Sequence, residues 1–97
     1  MLFAMIAKDK PGNSEQRTAV RPVHLDHLNS LGNKLVLAGA LLNDAGVPEG
    51  SLMVLEAETI EDATASFLAD PFIEAGIFAS YEIKPWRLAI NNTTKKD

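Results

Sequence analysis

Two arginines, two histidines and an aspartate fall close together in one predicted helix, as Arg17, Arg21, His24, Asp26 and His27. A histidine can move a proton near neutral pH, and an arginine can hold a carboxylate or a developing enolate. At about 100° per residue, His24 points toward the sheet, on or near the stripe that carries both arginines. Asp26 then lies on the opposite side, so the local His-x-Asp pair is not a dyad, and His27 lies at the edge of the buried stripe.

Asp70 is the second candidate, because it precedes Pro71 and Glu74 follows shortly after. Aspartate before proline is a favourable N-cap, so Asp70 can be explained as a helix cap alone. A cap uses one carboxylate oxygen, which leaves the other free to orient an imidazole. His24 has the same two interpretations: a histidine at the edge of the core, bonded to backbone, or a proton-transfer group.

The elements that must position these residues follow the order βαββαβ. Strands are predicted over 2–8, 34–41, 51–57 and 77–83, and helices over 14–31 and 59–69, with a short helical turn over 70–76. Asn13 or Ser14 is expected to begin the first helix and Thr59 the second, with Asp62 at its third position. Pro22 is expected to bend the first helix or to mark a later start of its regular part. A polar loop is predicted over 43–50.

Three of the strands are apolar on both faces, whereas two helices can cover only one face of a four-stranded sheet. The uncovered face would expose an apolar patch of roughly several hundred Å², more than soluble monomers usually tolerate. The simplest cover is a second copy of the same sheet. The sequence therefore predicts an α+β, ferredoxin-like fold with a four-stranded antiparallel sheet, paired sheet-to-sheet as a homodimer.

Composition narrows the choice of function. The chain has 97 residues, 46% of them hydrophobic, a formal net charge of −4 and no cysteine. One domain over 1–90 with a flexible tail over 91–97 is expected. The acidic balance argues against nucleic-acid binding, and the missing cysteine excludes disulfides, iron–sulfur clusters and a thiol nucleophile. The short apolar amino terminus does not predict a membrane span or a signal peptide, so a cytoplasmic protein without membrane partners is expected.

Four sequence blocks resemble the YciI-like (YCII-related) family. They are Arg17-x-x-x-Arg21-x-x-His24-Leu25-x-x-Leu28, Ala38-Gly39, Asp70-Pro71-Phe72-x-Glu74-Ala75-Gly76 and Ile83-Lys84-Pro85-Trp86, spread over nearly all of the chain in order. The resemblance implies a dimeric, ferredoxin-like protein related to the dimeric α+β barrels. Ala40 departs from the proline that many relatives carry after Ala-Gly, which is expected to change the shape of the pocket wall.

The resemblance also implies that His24 and Asp70 form an acid–base pair in a cleft. Asp70 would fix the tautomer of His24, which would then move a proton on a small, anionic substrate. Arg21 is the expected anion contact, and Arg17 and Gly39 are further candidate substrate contacts. Lactone isomerisation or elimination, known among relatives of this fold, would need no cofactor and no metal.

Three alternatives stay open. A non-catalytic module could bind a small ligand or a partner in the same cleft, and it would be favoured if His24 and Asp70 were far apart or if Phe67, Phe72 or Trp86 filled the cleft. A metal site would use His24, His27 and Asp70. RNA binding is disfavoured, since the central strands offer only one aromatic side chain for base stacking.

Overall fold

The computed structural model describes residues 1–93, which form one four-stranded antiparallel sheet with helices on one face. The elements are β1 (Leu2–Asp9), α1 (Ser14–Ser30), a 3-10 turn (Gly32–Lys34), β2 (Leu35–Leu42), β3 (Pro48–Glu56), α2 (Ile60–Leu68), α3 (Pro71–Glu74) and β4 (Phe78–Trp86). The strand order across the sheet is β2-β3-β1-β4. The predicted ferredoxin-like fold is therefore confirmed.

The core forms between the helices and one face of the sheet because β1 alternates strictly. Phe3, Met5 and Ala7 are buried toward the helices, whereas Ile6 points to the other face and is 47% exposed. The remaining buried apolar side chains of this cluster are Leu28, Met53, Leu55, Ala63, Phe67, Phe72, Ile77 and Phe78. Burial of each large side chain contributes about 1.5–3 kcal/mol, so this single layer supplies most of the stability.

The start of α2 follows local capping chemistry, whereas the start of α1 does not. The Thr59 hydroxyl accepts a hydrogen bond from the backbone N–H of Asp62, as predicted. Asn13 is the N-cap position of α1, but its side chain donates to the Ile77 carbonyl instead of capping the helix. Pro22 lies within α1, which continues through it from Ser14 to Ser30. The side chain of Asn13 thus links the start of α1 to Ile77, between α3 and β4.

Several predicted boundaries were wrong, and each has a local reason. The predicted loop over 43–50 is shorter, because Asn43 accepts hydrogen bonds from the N–H groups of Ala45 and Val47 and so closes a tight hairpin. Strand β4 continues to Trp86. A β-bulge between Lys8 and Asp9 shifts its register, so Phe78 packs in the core and Ala79 is exposed.

The face of the sheet away from the helices is open in the single chain. Ile6 and Leu41 are 47% and 36% exposed there, and Leu52 and Leu37 are half-buried beside them. Within residues 1–93, no helix has both the length and the hydrophobicity needed to cross a membrane. Of the predicted tail, residues 94–97 lie outside the described residues.

Candidate active site

His24 and Asp70, which are far apart in the sequence, are in direct contact. His24 Nδ1 lies 2.8 Å from Asp70 Oδ1 and 2.9 Å from Oδ2, and both residues are buried. Because an ionised carboxylate only accepts hydrogen bonds, Nδ1 is the donor. In the neutral imidazole Nε2 is then the basic nitrogen, and it is the ring atom left for a ligand.

The segment that supplies Asp70 is held by its own backbone. Asp70 Oδ1 also accepts from the backbone N–H of Phe72 at 2.9 Å, as expected for the N-cap of α3. The cap and the imidazole therefore share Oδ1, whereas the sequence had suggested one oxygen for each role. Gly76 ends the segment at φ +70°, a left-handed conformation that favours glycine. The two interpretations of Asp70 thus coexist in one carboxylate.

Phe72 supports the same imidazole from its face. The two rings stack with centroids 3.8 Å apart and an interplanar angle of 6°. His24 is therefore fixed at its edge by Asp70 and at its face by Phe72, the N-cap and the second residue of α3. Sequence reasoning had named Phe72 only as part of a motif and as a side chain that might fill the cleft.

A cavity of about 170 Å³ lies beside His24, between α1 and the β2–β3 edge of the sheet. His24, Arg21, Arg17 and Ser51 supply polar groups to its wall, and Phe72 forms part of the wall without filling the space. A cavity of about 150 Å³ is large enough for benzene, so this one has room for a single six-membered ring.

The predicted substrate contacts border this cavity in different ways. Arg21 is exposed at its rim. Gly39 has no side chain and so contributes only backbone to the wall. It pairs with Leu52, and a side chain at this position would lie on the face of the sheet away from the helices. Ala40 of β2 pairs with Ser51 of β3 and presents its methyl group to the cavity. The roles of Arg21, Arg17 and Gly39 toward a substrate stay predictions.

Arg17 is already engaged in hydrogen bonds. Its Nη1 donates to both oxygens of Asp9, at 2.7 and 2.9 Å, and its Nη2 donates to Ser51 Oγ at 2.8 Å. Its guanidinium carbon also lies 4.8 Å from the centroid of Phe72. Sequence reasoning missed Asp9 and Ser51, although alternation along β1 and β3 places both on the helix-facing side.

His27, the third residue of the metal alternative, lies apart from His24 and Asp70. His27 Nε2 is 3.2 Å from the carbonyl of Ser66, on the side toward α2. Residues 1–93 contain no group of three or more histidine, cysteine, aspartate or glutamate side chains arranged to hold a metal ion. His24 and Asp70 are in contact as a pair, without His27.

The fold and the contact between His24 and Asp70 define a ferredoxin-like α+β domain with a buried histidine–carboxylate pair beside a partly open, ring-sized cavity. The YCII-related domain model matches residues 1–87. The chain belongs to this family, as the four sequence blocks predicted.

Two relatives and one more distant fold neighbour are similar to this chain in sequence or in structure. Protein YciI of Escherichia coli O6:H1 is 36% identical over 95 residues, covering 90% of this chain and 97% of that protein. The solved structure of 5-chloro-2-hydroxyhydroquinone dehydrochlorinase (TftG) from Burkholderia phenoliruptrix AC1100, in complex with 2,5-dihydroxybenzoquinone, is similar with a TM-score of 0.83. It is 31% identical, with coverage of 92% of this chain and 96% of that one. A putative antibiotic biosynthesis monooxygenase from Bacteroides thetaiotaomicron shares the fold at a TM-score of 0.61 and 16% identity, with coverage of 99% and 95%.

Proposed function

We propose that this protein is a small-molecule enzyme in which His24 and Asp70 act as an acid–base pair on a substrate the size of one ring. The observation that carries the proposal is the contact of His24 Nδ1 with Asp70 at the wall of a cavity of about 170 Å³. Asp70 fixes the tautomer, so Nε2 takes a proton from the substrate. The likeness to a dehydrochlorinase that binds a dihydroxybenzoquinone supports a ring compound as substrate.

Elimination or isomerisation is the proposed class of reaction. In an elimination of hydrogen chloride, the base takes a proton from the substrate and chloride leaves with the bonding electron pair. Such a step balances without an external oxidant or reductant. An isomerisation uses the same group to remove a proton at one atom and return it at another. Arg21, exposed at the rim of the cavity, would hold a negatively charged oxygen of the substrate.

The test compares two histidines of the same helix. Chloride release from 5-chloro-2-hydroxyhydroquinone and turnover of small lactones and halogenated ring acids are measured for the wild type, His24→Ala and His27→Ala. We expect His24→Ala to lose at least about a hundredfold in rate, because general acid–base catalysis contributes at least that much. His27 bonds to the Ser66 carbonyl, outside the cavity, so His27→Ala should retain activity.

The outcomes separate the proposal from its alternative. Equal rates for the two variants would sink the catalytic assignment. If ring compounds bound the wild type and none of the panel turned over, a non-catalytic ligand-binding module would be favoured instead. Thermal unfolding of both variants checks that a lost rate does not reflect a lost fold.

A homodimer is proposed for the open face of the sheet. The exposed apolar side chains Ile6 and Leu41 lie on this face, together with the half-buried Leu37 and Leu52. A second copy related by a two-fold axis would bury the same patch on both chains. Sedimentation at micromolar concentration should give twice the 10.5 kDa of one chain, and a mass near 10.5 kDa would contradict the dimer.

A further inference from the structure

A buried polar group beside the cavity has no part in the proton transfer described above. It consists of Asp9, Arg17 and Ser51, with side-chain exposures of 7% for Asp9 and 8% for Arg17 and a residue exposure of 2% for Ser51. Burying an ion pair costs several kcal/mol per charge unless hydrogen bonds compensate. Asp9 uses both oxygens on Arg17 Nη1, which leaves Nη2 directed to Ser51.

The Ser51 hydroxyl is consequently oriented. A hydroxyl has one proton to donate and two lone pairs to accept with, and Arg17 Nη2 occupies one lone pair at 2.8 Å. Within residues 1–93 the bond from Arg17 is the one hydrogen bond that Ser51 Oγ makes. Ser51 also lines the cavity, so an oxygen atom bound there is within its reach as an acceptor for this proton. A hydroxyl that accepts from a guanidinium is polarised into a stronger donor.

We propose that Ser51 donates its hydroxyl proton to an oxygen of the bound substrate and that Arg17, anchored by Asp9, is the positioning residue for this hydroxyl. The inference rests on the proposed function and deepens it. The substrate must carry a carbonyl or oxyanion oxygen on the side facing β3, while the proton to be moved faces His24. Arg17 then acts through Ser51 and not by direct contact with the substrate.

The first test measures binding of 2,5-dihydroxybenzoquinone by titration calorimetry. Ser51→Ala should bind this probe about tenfold to a hundredfold more weakly than the wild type, as expected for a lost hydrogen bond to a charged oxygen. Ser51→Thr keeps the hydroxyl and should stay within about threefold. Ser80→Ala removes a serine from the opposite face of the sheet and should bind as the wild type does.

The alanine variant is expected to fold, because water in the cavity can accept from Arg17 Nη2 in place of Ser51. Equal binding by the wild type and Ser51→Ala would overturn the inference, and so would equal loss in Ser51→Ala and Ser51→Thr. Failure of the wild type to bind the probe at millimolar concentration would overturn the proposed substrate class.

A second test separates positioning from direct contact. Arg17→Lys keeps the positive charge beside Asp9. It loses the second guanidinium nitrogen, which reaches Ser51 while the first is bonded to Asp9. Introduced into the wild-type protein, Arg17→Lys should weaken probe binding several-fold. Introduced into a protein that already carries Ser51→Ala, it should leave probe binding unchanged. An equal effect in both backgrounds would overturn the positioning role.

The changes in probe affinity expected for the Ser51 and Arg17 variants are measured without turnover. The proposed function fails when His24→Ala and His27→Ala turn over at equal rates, whatever Ser51 does to binding. The inference about Ser51 fails on probe affinity alone, with His24 intact. Each failure is therefore recognised separately.

Discussion

The imidazole of His24 lies flat against the phenyl ring of Phe72, with the ring centroids 3.8 Å apart and the planes within 6° of parallel. Asp70, two residues before Phe72, accepts from the edge of the same imidazole. The start of α3 therefore fixes the orientation of His24 about two different axes. The position of a general base within a fraction of an ångström decides its rate, so this segment should matter for activity as well as for stability.

Phe72→Leu tests the contribution of the stacked face. The substitution keeps an apolar side chain but removes the flat surface, so His24 gains freedom to rotate. We expect a loss of about 1–2 kcal/mol in unfolding free energy and a clear fall in kcat. Phe67→Leu is the matched control, since Phe67 is equally buried in the core but does not border the cavity.

Phe67→Leu should lose similar stability while retaining kcat. Urea unfolding and turnover of the best substrate are measured on both variants. If the two variants lost activity in parallel, the effect of Phe72 would be attributable to general loosening of the core, and the argument from stacking would be refuted.

Asp70→Asn tests the tautomer of His24. Asparagine caps a helix as well as aspartate does, so the backbone bond to Phe72 should survive and stability should change by less than about 1 kcal/mol. Its amide nitrogen, however, can donate to Nδ1 and so place the imidazole proton on Nε2. We expect a fall in kcat of at least about a hundredfold, because Nε2 then has no lone pair for the substrate proton.

The control for Asp70 is another helix cap. Thr59 caps α2 through the N–H of Asp62, away from the cavity. Thr59→Ala should cost about 1 kcal/mol of stability and leave kcat unchanged. An Asp70→Asn variant that remained fully active would show that Asp70 serves only as a cap.

The sequence was sufficient to place His24 but not to find its partner. Helical periodicity alone turned His24 toward the sheet and excluded Asp26, and both agree with the structure, in which His24 is 7% exposed. Asp70 lies 46 residues away in the sequence. Local capping chemistry gave Asp70 a complete explanation, so only the family resemblance linked it to His24.

The Asp9–Arg17–Ser51 group could not be recognised from the sequence in the same way. Asp9 directly follows the predicted strand over 2–8 and Ser51 begins the predicted strand over 51–57, so neither has a local context that indicates chemistry. Their shared position depends on the pairing of β1 with β3, in which Ala7 lies opposite Ser51. Register between strands far apart in the sequence is set by packing of the whole sheet, and the residue types alone do not specify it.

The buried pair of Asp9 and Arg17 is expected to be a strong determinant of stability. Asp9→Ala leaves the guanidinium buried without its carboxylate, which should cost about 3–5 kcal/mol. The double variant Asp9→Leu with Arg17→Met should recover much of this loss, because no charge is then left unpaired. Chemical unfolding measures both.

The exposed ion pair of Glu82 and Lys84 is the control for the buried pair of Asp9 and Arg17. Their charged atoms are 3.7 Å apart on the surface of β4, so Glu82→Ala should change stability by less than about 1 kcal/mol. If Asp9→Ala were no less stable than Glu82→Ala, the hydrogen bonds from Arg17 to Asp9 would not persist in solution.

Strands β1 and β3 pack closely at Gly50, the residue next to Ser51. A β-carbon on Gly50 would collide with the carbonyl oxygen of Ala7, and since this oxygen belongs to the backbone, the backbone would have to move. Gly50→Ala should therefore destabilise the protein by about 1–3 kcal/mol and weaken the site next to it at Ser51. Gly39→Ala meets no atom within 4 Å and should unfold as the wild type does. Thermal melts of the two variants decide between crowding at Gly50 and a general intolerance of alanine in these strands.

Filling the cavity should block the ligand without harming the fold. The methyl group of Ala40 faces the cavity, because Ala40 pairs with Ser51 on the helix-facing side of the sheet. Ala40→Leu adds three carbons to a space of about 170 Å³, so binding of 2,5-dihydroxybenzoquinone should fall by tenfold or more, about 1.4 kcal/mol. Stability should rise or stay unchanged, since filling a cavity buries apolar surface.

Gly39→Ala changes the adjacent residue on the opposite face of the sheet and should preserve binding. Unchanged affinity in Ala40→Leu would mean that the probe binds somewhere other than beside His24, whereas a loss in Gly39→Ala would favour the direct substrate contact predicted for that glycine.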